Sequence, residues 1–247
     1  MNFSDDQHKA LKKYNLDPQK MPQHVAIVMD GNGRWAKKRL LPRTAGHKAG
    51  RKTLKETLKN CVRLGIPYLS AYVFSTENWQ RPKTEVSFLM DFFKSVLKDE
   101  VRELNEEGVR LKFLGNTTAL SQEIQDGIMD AERETEANTR IQLNIMLNYG
   151  AREEIVSSIK SLSSEQLQAL TEDSFSQVLY TKGVPDPEVL IRTSGEYRIS
   201  NFMLWQLAYS ELFFIDTLWP NFTMDDLVGV LQGYQKRNRR FGGIINK

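Results

Sequence analysis

The sequence of 247 residues holds a single cysteine, Cys61, and three histidines, His8, His24 and His47. One thiol excludes an intramolecular disulfide and a thiolate zinc cluster, and three scattered imidazoles make no histidine metal motif. Any metal is therefore expected to be held through oxygen. No apolar run approaches the roughly 20 residues that a bilayer-spanning helix needs, and the polar segment Met1–Lys20 lacks the apolar stretch of a secretory signal, so a cytoplasmic location is the expectation. Charge of one sign is also lacking. The 34 basic and 31 acidic residues leave a net +3, too little to make nucleic acid the main partner. The run Lys236-Arg237-Asn238-Arg239-Arg240 is locally basic, and a solvated helix end is its default reading. There are no internal repeats, no low-complexity segments and no linker, so the length fits one large α/β domain. Neither the dinucleotide fingerprint GxGxxG nor the phosphate loop GxxxxGK[ST] occurs.

What is present is concentrated in Asp30-Gly31-Asn32-Gly33-Arg34-Trp35, which follows the apolar run Val25–Met29. Such a run reads as a buried parallel strand, and ligands of open α/β sheets bind beyond the carboxyl ends of these strands. Asp30 would stand at that edge as a ligand for a hard cation. Gly31 and Gly33 let backbone approach a ligand closely, and Arg34 offers a planar donor fork to phosphate oxygens. The six residues alone also fit a plain strand-to-helix turn.

Further along, Leu54, Leu58, Cys61 and Val62 recur at helical spacing before Gly65-Ile66-Pro67, and a strand follows over Tyr68–Phe74. The pattern then gives a polar loop (Ser75–Lys83), a long helix (about Thr84–Glu107), a strand (Val109–Leu114), a charged helix (about Leu120–Asn138) and a strand (Ile141–Leu147). A helix from Arg152, a short strand at Val189-Leu190-Ile191, a helix near Asn201–Tyr209, a strand at Leu212–Ile215 and a last helix from Met224 complete the set. Strands alternating with helices imply a mostly parallel central sheet flanked by helices on both faces. Asp30, the loop after Phe74 and Arg192 all follow strands, so they are expected to converge at one edge. The long helix carries an apolar surface from Val86 to Leu104 that is wide in its first half; it is either deeply buried or lines an apolar cleft.

The chain resembles the cis-prenyltransferases of the undecaprenyl diphosphate synthase family from about His24 to Gly243. The blocks that carry the resemblance are His24–Ala36, Gly46–Gly50, Phe74–Pro82, Asn148–Gly150, Ile191–Phe202 and Leu204–Glu211. Two departures are mild: Gly150-Ala151 stands where the family usually has two glycines, and Ile199 where it often has leucine. Residues 1–20 lie outside the resemblance as an extension without an assigned role, and 21–247 form the catalytic domain.

The resemblance implies a single α/β domain, distinct from a Rossmann dinucleotide fold, with an apolar tunnel beside the sheet. It implies repeated condensation of isopentenyl diphosphate with an allylic diphosphate such as farnesyl diphosphate, with Mg²⁺ as cofactor and undecaprenyl diphosphate, a cell-wall carrier lipid, as product. On this reading Asp30 and Asn78 are catalytic, and Asp30 and Glu211 bind Mg²⁺. Gly31, Asn32, Gly33, Arg34, Trp35, Arg43 and His47 cradle the allylic diphosphate. Ser75, Thr76, Glu77, Trp79 and Arg81 contact substrate from a loop that can close. Arg192, Arg198, Ile199 and Ser200 hold isopentenyl diphosphate, two guanidiniums suiting one diphosphate. A neutral amide is a poor base, so Asn78 is expected to orient a proton acceptor. His47 suits a phosphate donor among Lys48, Arg51 and Lys52, or is merely structural. Glu211 acts on the metal, across a subunit boundary if need be, or is an ordinary strand-edge carboxylate. The family implies a homodimer, for which Trp205–Phe214 offers an apolar surface that burial would equally explain, and peripheral membrane contact during product release. The basic tail Arg237–Gly243 would bring phosphate ligands. Floor positions of the tunnel are sought among Met90, Phe93, Leu143 and Ile145.

Four alternatives stand against this. A trans-type prenyl synthase needs paired Asp-Asp-x-x-Asp clusters, which neither Asp5-Asp6 nor Asp225-Asp226 completes. A non-catalytic accessory subunit of the same superfamily would lack the catalytic side chains that are present here, and a shorter-chain enzyme would keep the chemistry. A nucleic-acid-binding protein using the basic run would bind with strong salt dependence.

Overall fold

The structure is a computed structural model that describes residues 3–237. Chain order runs α1 (Asp5–Lys13), β1 (His24–Val28), α2 (Asn32–Lys37), α3 (Arg43–Arg63), β2 (Tyr68–Ser75), α4 (Lys83–Glu106), β3 (Val109–Leu114), α5 (Gln122–Thr135) and β4 (Ile141–Tyr149). It continues with α6 (Ala151–Lys160), α7 (Ser164–Gln168), α8 (Glu172–Ser176), β5 (Val189–Arg192), β6 (Glu211–Phe214) and α9 (Met224–Lys236). The six strands form one parallel sheet in the order β3-β4-β2-β1-β5-β6.

β1 shows why the apolar run lacks alternation. Val25 and Ile27 enter a core shared with α1, α3 and α9, while Ala26 and Val28 enter a second core with Tyr149, Phe202 and Met203. Both faces are covered, as a central parallel strand requires. At the amino end of the strand His24 is fully buried, its Nε2 2.7 Å from Ser70 Oγ and its Nδ1 2.6 Å from the Pro185 carbonyl. Burial pushes this imidazole down to about 4, against a backbone contact to Pro185 that raises it.

Turn chemistry sets the element ends. Ser4 and Gln7 close α1 with a reciprocal capping box, and Thr223 and Asp226 do the same for α9. Pro42 and Pro82 precede α3 and α4, and Gly65 and Gly108 stop those helices in the left-handed conformation. Residues before position 21 are not a loose extension: α1 buries Ala10 and Leu11 in the main core, beside Leu16 and Met21.

The segment Asn201–Tyr209 differs from the expectation of a helix. It is a series of turns, because Ser200, Asn201 and Met203 take φ of 52°, 61° and 46°. The apolar spacing there serves packing, with Phe202 and Met203 fully buried. Asn201 joins three segments: its carbonyl accepts from Ala151 N–H, its Oδ1 from Arg152 N–H, and its Nδ2 donates to Glu77. The short helices α7 and α8, like α1, were not expected from apolar periodicity. In the basic tail, everything after Arg237 lies outside the described residues.

Candidate active site

The carboxyl ends of β1 and β5 lie side by side, since Val28 pairs with Arg192. Two residues past Val28, Asp30 accepts a 2.9 Å hydrogen bond from Arg192 Nη2, and Arg34 Nη2 lies 3.4 Å from its other oxygen. Its backbone is pinned as well, the Asp30 carbonyl accepting from Thr193 Oγ1 at 2.7 Å and from Trp219 N–H. Burial raises the carboxyl's pKa, but the Arg192 hydrogen bond and charge, then Arg34, outweigh it and leave Asp30 below its ordinary value. An ionised, oriented carboxylate therefore stands at the strand ends.

Gly31 makes the turn that follows. Its φ is 108°, and a Cβ there would meet Leu218 at 3.0 Å and Ser194 at 3.1 Å, so neither backbone nor space admits a side chain. Arg34 then reaches across, donating to the Ser194 carbonyl at 3.0 Å and pairing with Glu196. Arg192 is almost wholly buried and donates through Nη1 to Ser200 Oγ at 2.7 Å and to the Arg198 carbonyl, while its Nε has no partner. Arg198 is exposed and pairs with Glu196, and Ile199 packs against the second core.

A second group of cations gathers on Glu85, in the first turn of α4. Its Oε1 lies 3.1 Å from Arg81, 3.4 Å from Arg43 and 3.6 Å from His47 Nε2. His47 Nε2 is buried and unpaired, as is Asn32 Oδ1. Burial lowers the His47 pKa first, and the Arg81 and Arg43 charges add to this against the opposing pull of Glu85. The imidazole is thus neutral at pH 7. Asn32 lies against α3, where a Cβ on Gly50 would come within 2.3 Å of its Oδ1, and Arg43 covers Gly33.

Between these groups the loop after β2 folds into a 3₁₀ turn over Thr76–Gln80. Asn78 Oδ1 caps it by accepting from Ser75 N–H at 3.2 Å. Trp79 stands edge-on to Phe74 and donates to Asn148 Oδ1 at 2.7 Å, yet stays 41% exposed. Glu77 is held by Asn201 and by Thr76.

Trp35 and Glu211 stand apart. Trp35 points to Asn221, with Arg39 over its ring at 4.1 Å. Glu211 pairs in register with Val189, which pairs with Val25, so it lies at the opposite edge of the sheet, about 16 Å along the strands from Asp30. There it pairs with Arg237. One chain does not bring Asp30 and Glu211 to one ion, and no cluster of three metal-ligating side chains occurs among the described residues. The donor set at Asp30 fits Mg²⁺ nonetheless, because this ion commonly takes one carboxylate and completes its shell with phosphate oxygens and waters.

Below His47 and Asn32 an apolar cavity runs between α3, α4 and the sheet. Leu54, Leu58, Leu89, Phe93, Leu104, Leu111, Leu143 and Ile145 line it. The wide apolar face of α4 therefore lines a cleft. Met90 does not reach this lining and packs instead against the cluster that includes Phe74, Leu120, Ile124 and Leu147, so of the four floor candidates Phe93, Leu143 and Ile145 line the cavity.

This architecture has clear relatives. A family model described as "Putative undecaprenyl diphosphate synthase" matches residues 28–242. The chain belongs to the undecaprenyl diphosphate synthase family of isoprenyl transferases. An isoprenyl transferase of Clostridium tetani is 45% identical over 249 residues, covering 98% of each chain. The structure is similar to lavandulyl diphosphate synthase from Lavandula x intermedia in complex with dimethylallyl diphosphate, with a TM-score of 0.86 and 34% identity over 91% of this chain and 99% of that one. It is also similar to a probable undecaprenyl diphosphate synthase from Campylobacter jejuni, with a TM-score of 0.77 and 30% identity over 90% and 99%. Among the described residues no helix is long and apolar enough to cross a membrane.

The geometry also brings forward residues that the sequence did not single out. Glu85, Ser194, Glu196 and Asn148 orient the cations and the tryptophan at the site. Asn148, Ser194 and Glu196 lie within the blocks that carry the resemblance, whereas Glu85 stands four residues after Arg81 in the first turn of a helix, a spacing that marks an ordinary ion pair and not a site.

Proposed function

We propose that the protein condenses isopentenyl diphosphate repeatedly with an allylic diphosphate, farnesyl diphosphate being the fitting primer, to give a long cis-polyprenyl diphosphate of undecaprenyl length. The observation that carries this is the junction of a cationic strand-edge site around Asp30 with an apolar cavity that begins at His47 and Asn32. A diphosphate head and a hydrocarbon tail need those two environments side by side. The crystallised relative with dimethylallyl diphosphate supports an allylic diphosphate as one ligand.

In this reading Asp30 would hold Mg²⁺, and the bound ion would supply positive charge against the departing diphosphate. Gly31, Asn32, Gly33, Arg34, Arg43 and His47 cradle the allylic diphosphate, neutral His47 donating or accepting a hydrogen bond. Arg192, Arg198 and Ser200 hold isopentenyl diphosphate, the unpaired Arg192 Nε being one donor available to it. The bond from the allylic carbon to diphosphate oxygen breaks, a bond to the isopentenyl double bond forms, and a proton leaves. Asn78 is fixed as a cap on the loop and orients the acceptor of that proton. Ser75, Thr76, Glu77, Trp79 and Arg81 close over the substrates and exclude water.

Glu211 serves a second copy of the chain. It lies on β6, the edge strand, near the exposed Leu204, Tyr209 and Leu212, which supply an apolar surface for a homodimer. The enzyme works in the cytoplasm and touches the membrane peripherally when product leaves.

The test is incubation with farnesyl diphosphate, labelled isopentenyl diphosphate and Mg²⁺. Condensation that EDTA stops, and that falls at least about 10²–10³-fold in Asp30→Ala, supports the proposal. Folded protein that binds both diphosphates and forms no carbon–carbon bond refutes it in favour of an accessory subunit.

A further inference from the structure

The backbones of the two helices that flank the cavity stand apart. α3 packs on α2 and α4 on α5, and few residues of α3 and α4 approach within 8 Å across the cavity. What closes the seam is a ladder of ion pairs on successive helical turns: Arg51 with Glu100 at 2.6 Å, Lys55 with Glu103, and Lys59 with Glu107 at 3.2 Å. Ladders of this kind on a solid surface are ordinary and worth little. This one covers an apolar void.

On its outer side lies a shallow cleft that includes Lys48, Lys52 and Ser95. Arg51, Lys55, Phe92 and Glu100 line both that cleft and the internal cavity. The partition between cavity and solvent is therefore one side chain thick, with the Arg51 guanidinium 5.5 Å from the Phe92 ring centre. Seams between core helices are commonly shut by interdigitating apolar side chains. Here the ion pairs close the outer rim of the gap, while Leu58 of α3 and Val101 and Leu104 of α4 line the void beneath it and belong to the main core.

We propose that the α3–α4 seam is a lateral portal for the hydrocarbon tail, latched by these ion pairs, and that Arg51, Lys55, Glu100 and Glu103 govern the release and length of the product. This rests on the polyprenyl reading of the cavity. A tail lying along the seam leaves sideways once the pairs part. Otherwise its whole length must be drawn back past the charged collar of Arg43, His47, Arg81 and Glu85 at the mouth. The latch is separable because its partners are partly exposed and meet water when they part.

The double variant Lys55→Cys/Glu103→Cys places two thiols across the seam for a short bismaleimide. The native thiol, Cys61, is fully buried and pushed up to about 12 by burial, so it stays unmodified. A dansyl-labelled alkyl chain is the probe, read by energy transfer from Trp219, which lines the cavity. Cross-linking is expected to slow probe exit at least about tenfold relative to the uncross-linked variant, because a covalent bridge holds shut a seam that exposed pairs hold only weakly. In the unaltered chain, raising sodium chloride to about 1 M should speed exit several-fold, because salt screens exposed pairs. Under the same cross-link, a single condensation should keep its rate while repeated turnover falls. Equal probe exit with and without the cross-link, together with salt-insensitive exit, overturns the portal whether or not the protein condenses diphosphates. Gated probe exit without condensation upholds the portal and defeats the prenyl reading.

Discussion

Asp30 is held by two guanidiniums of different standing. Arg192 is buried and fixed by Ser200 and the Arg198 carbonyl, whereas Arg34 is half-exposed and shares itself among Asp30, Ser194 and Glu196. The fixed arginine sets the direction of the carboxylate, and the looser one is free to turn towards an arriving diphosphate. A different residue contributes to the acid response of the fold. Buried His24 has its pKa near 4, against 6.5 in the unfolded chain, so as the pH falls the unfolded state takes up the proton first. The stabilisation from keeping His24 neutral is full above pH 6.5 and declines from there to pH 4. The decline amounts to about 3 kcal/mol. Denaturant unfolding at several pH values should show this slope, and His24→Gln should flatten it; an unchanged slope in the variant would assign the acid response to other groups. These residues differ in how legible they were. Asp30, Arg34 and Arg192 could be placed because each follows a strand or its turn. Glu85 could not, because what distinguishes it is the convergence on one oxygen of Arg43, His47 and Arg81 from separate segments.

At the scale of elements, the site depends on how closely α2 lies on α3. Gly46 and Gly50 are where the two touch: a Cβ on Gly46 would come within 2.1 Å of the Asn32 carbonyl oxygen, and Gly50 has Asn32 Oδ1 on one side and Trp219 on the other. Gly50→Ala brings a methyl within 2.3 Å of that oxygen and 2.9 Å of the indole. It should destabilise the fold by about 1–3 kcal/mol and weaken diphosphate binding by displacing Asn32. Unfolding midpoints and a binding isotherm check both, and unchanged values in the variant would show that α2 does not depend on this contact. The alternation of strands and helices was readable from periodicity where an element is long and one-sided, as in α3, α4 and α5, or wholly buried, as in β1 and β5. The turns over Asn201–Tyr209 were not, because helical spacing of apolar residues also suits a chain that winds through positive φ at Ser200, Asn201 and Met203. α1 escaped notice for the opposite reason: only Ala10 and Leu11 of its nine residues are buried, too few for a visible stripe.

For the whole molecule, the parallel sheet acts as a depth scale. Asp30 marks the carboxyl edge; Ile145 pairs with Ala71 and Leu143 with Leu69, so Leu143 lies about 7 Å deeper than Ile145 along the cavity wall. The same register carries Glu211 to the far edge, a placement that strand composition could not reveal. It also orders the effect of bulk. Ile145→Phe should stop the chain earlier than Leu143→Phe, and both should leave the first condensation intact.

Sizing the products formed from farnesyl diphosphate and labelled isopentenyl diphosphate by the unaltered protein and these two variants tests the central claim most directly. The account predicts a long ladder ending near undecaprenyl length for the parent, a shorter one for Leu143→Phe and the shortest for Ile145→Phe. A parent that makes no polyprenyl product, or one ladder shared by all three proteins, would contradict it.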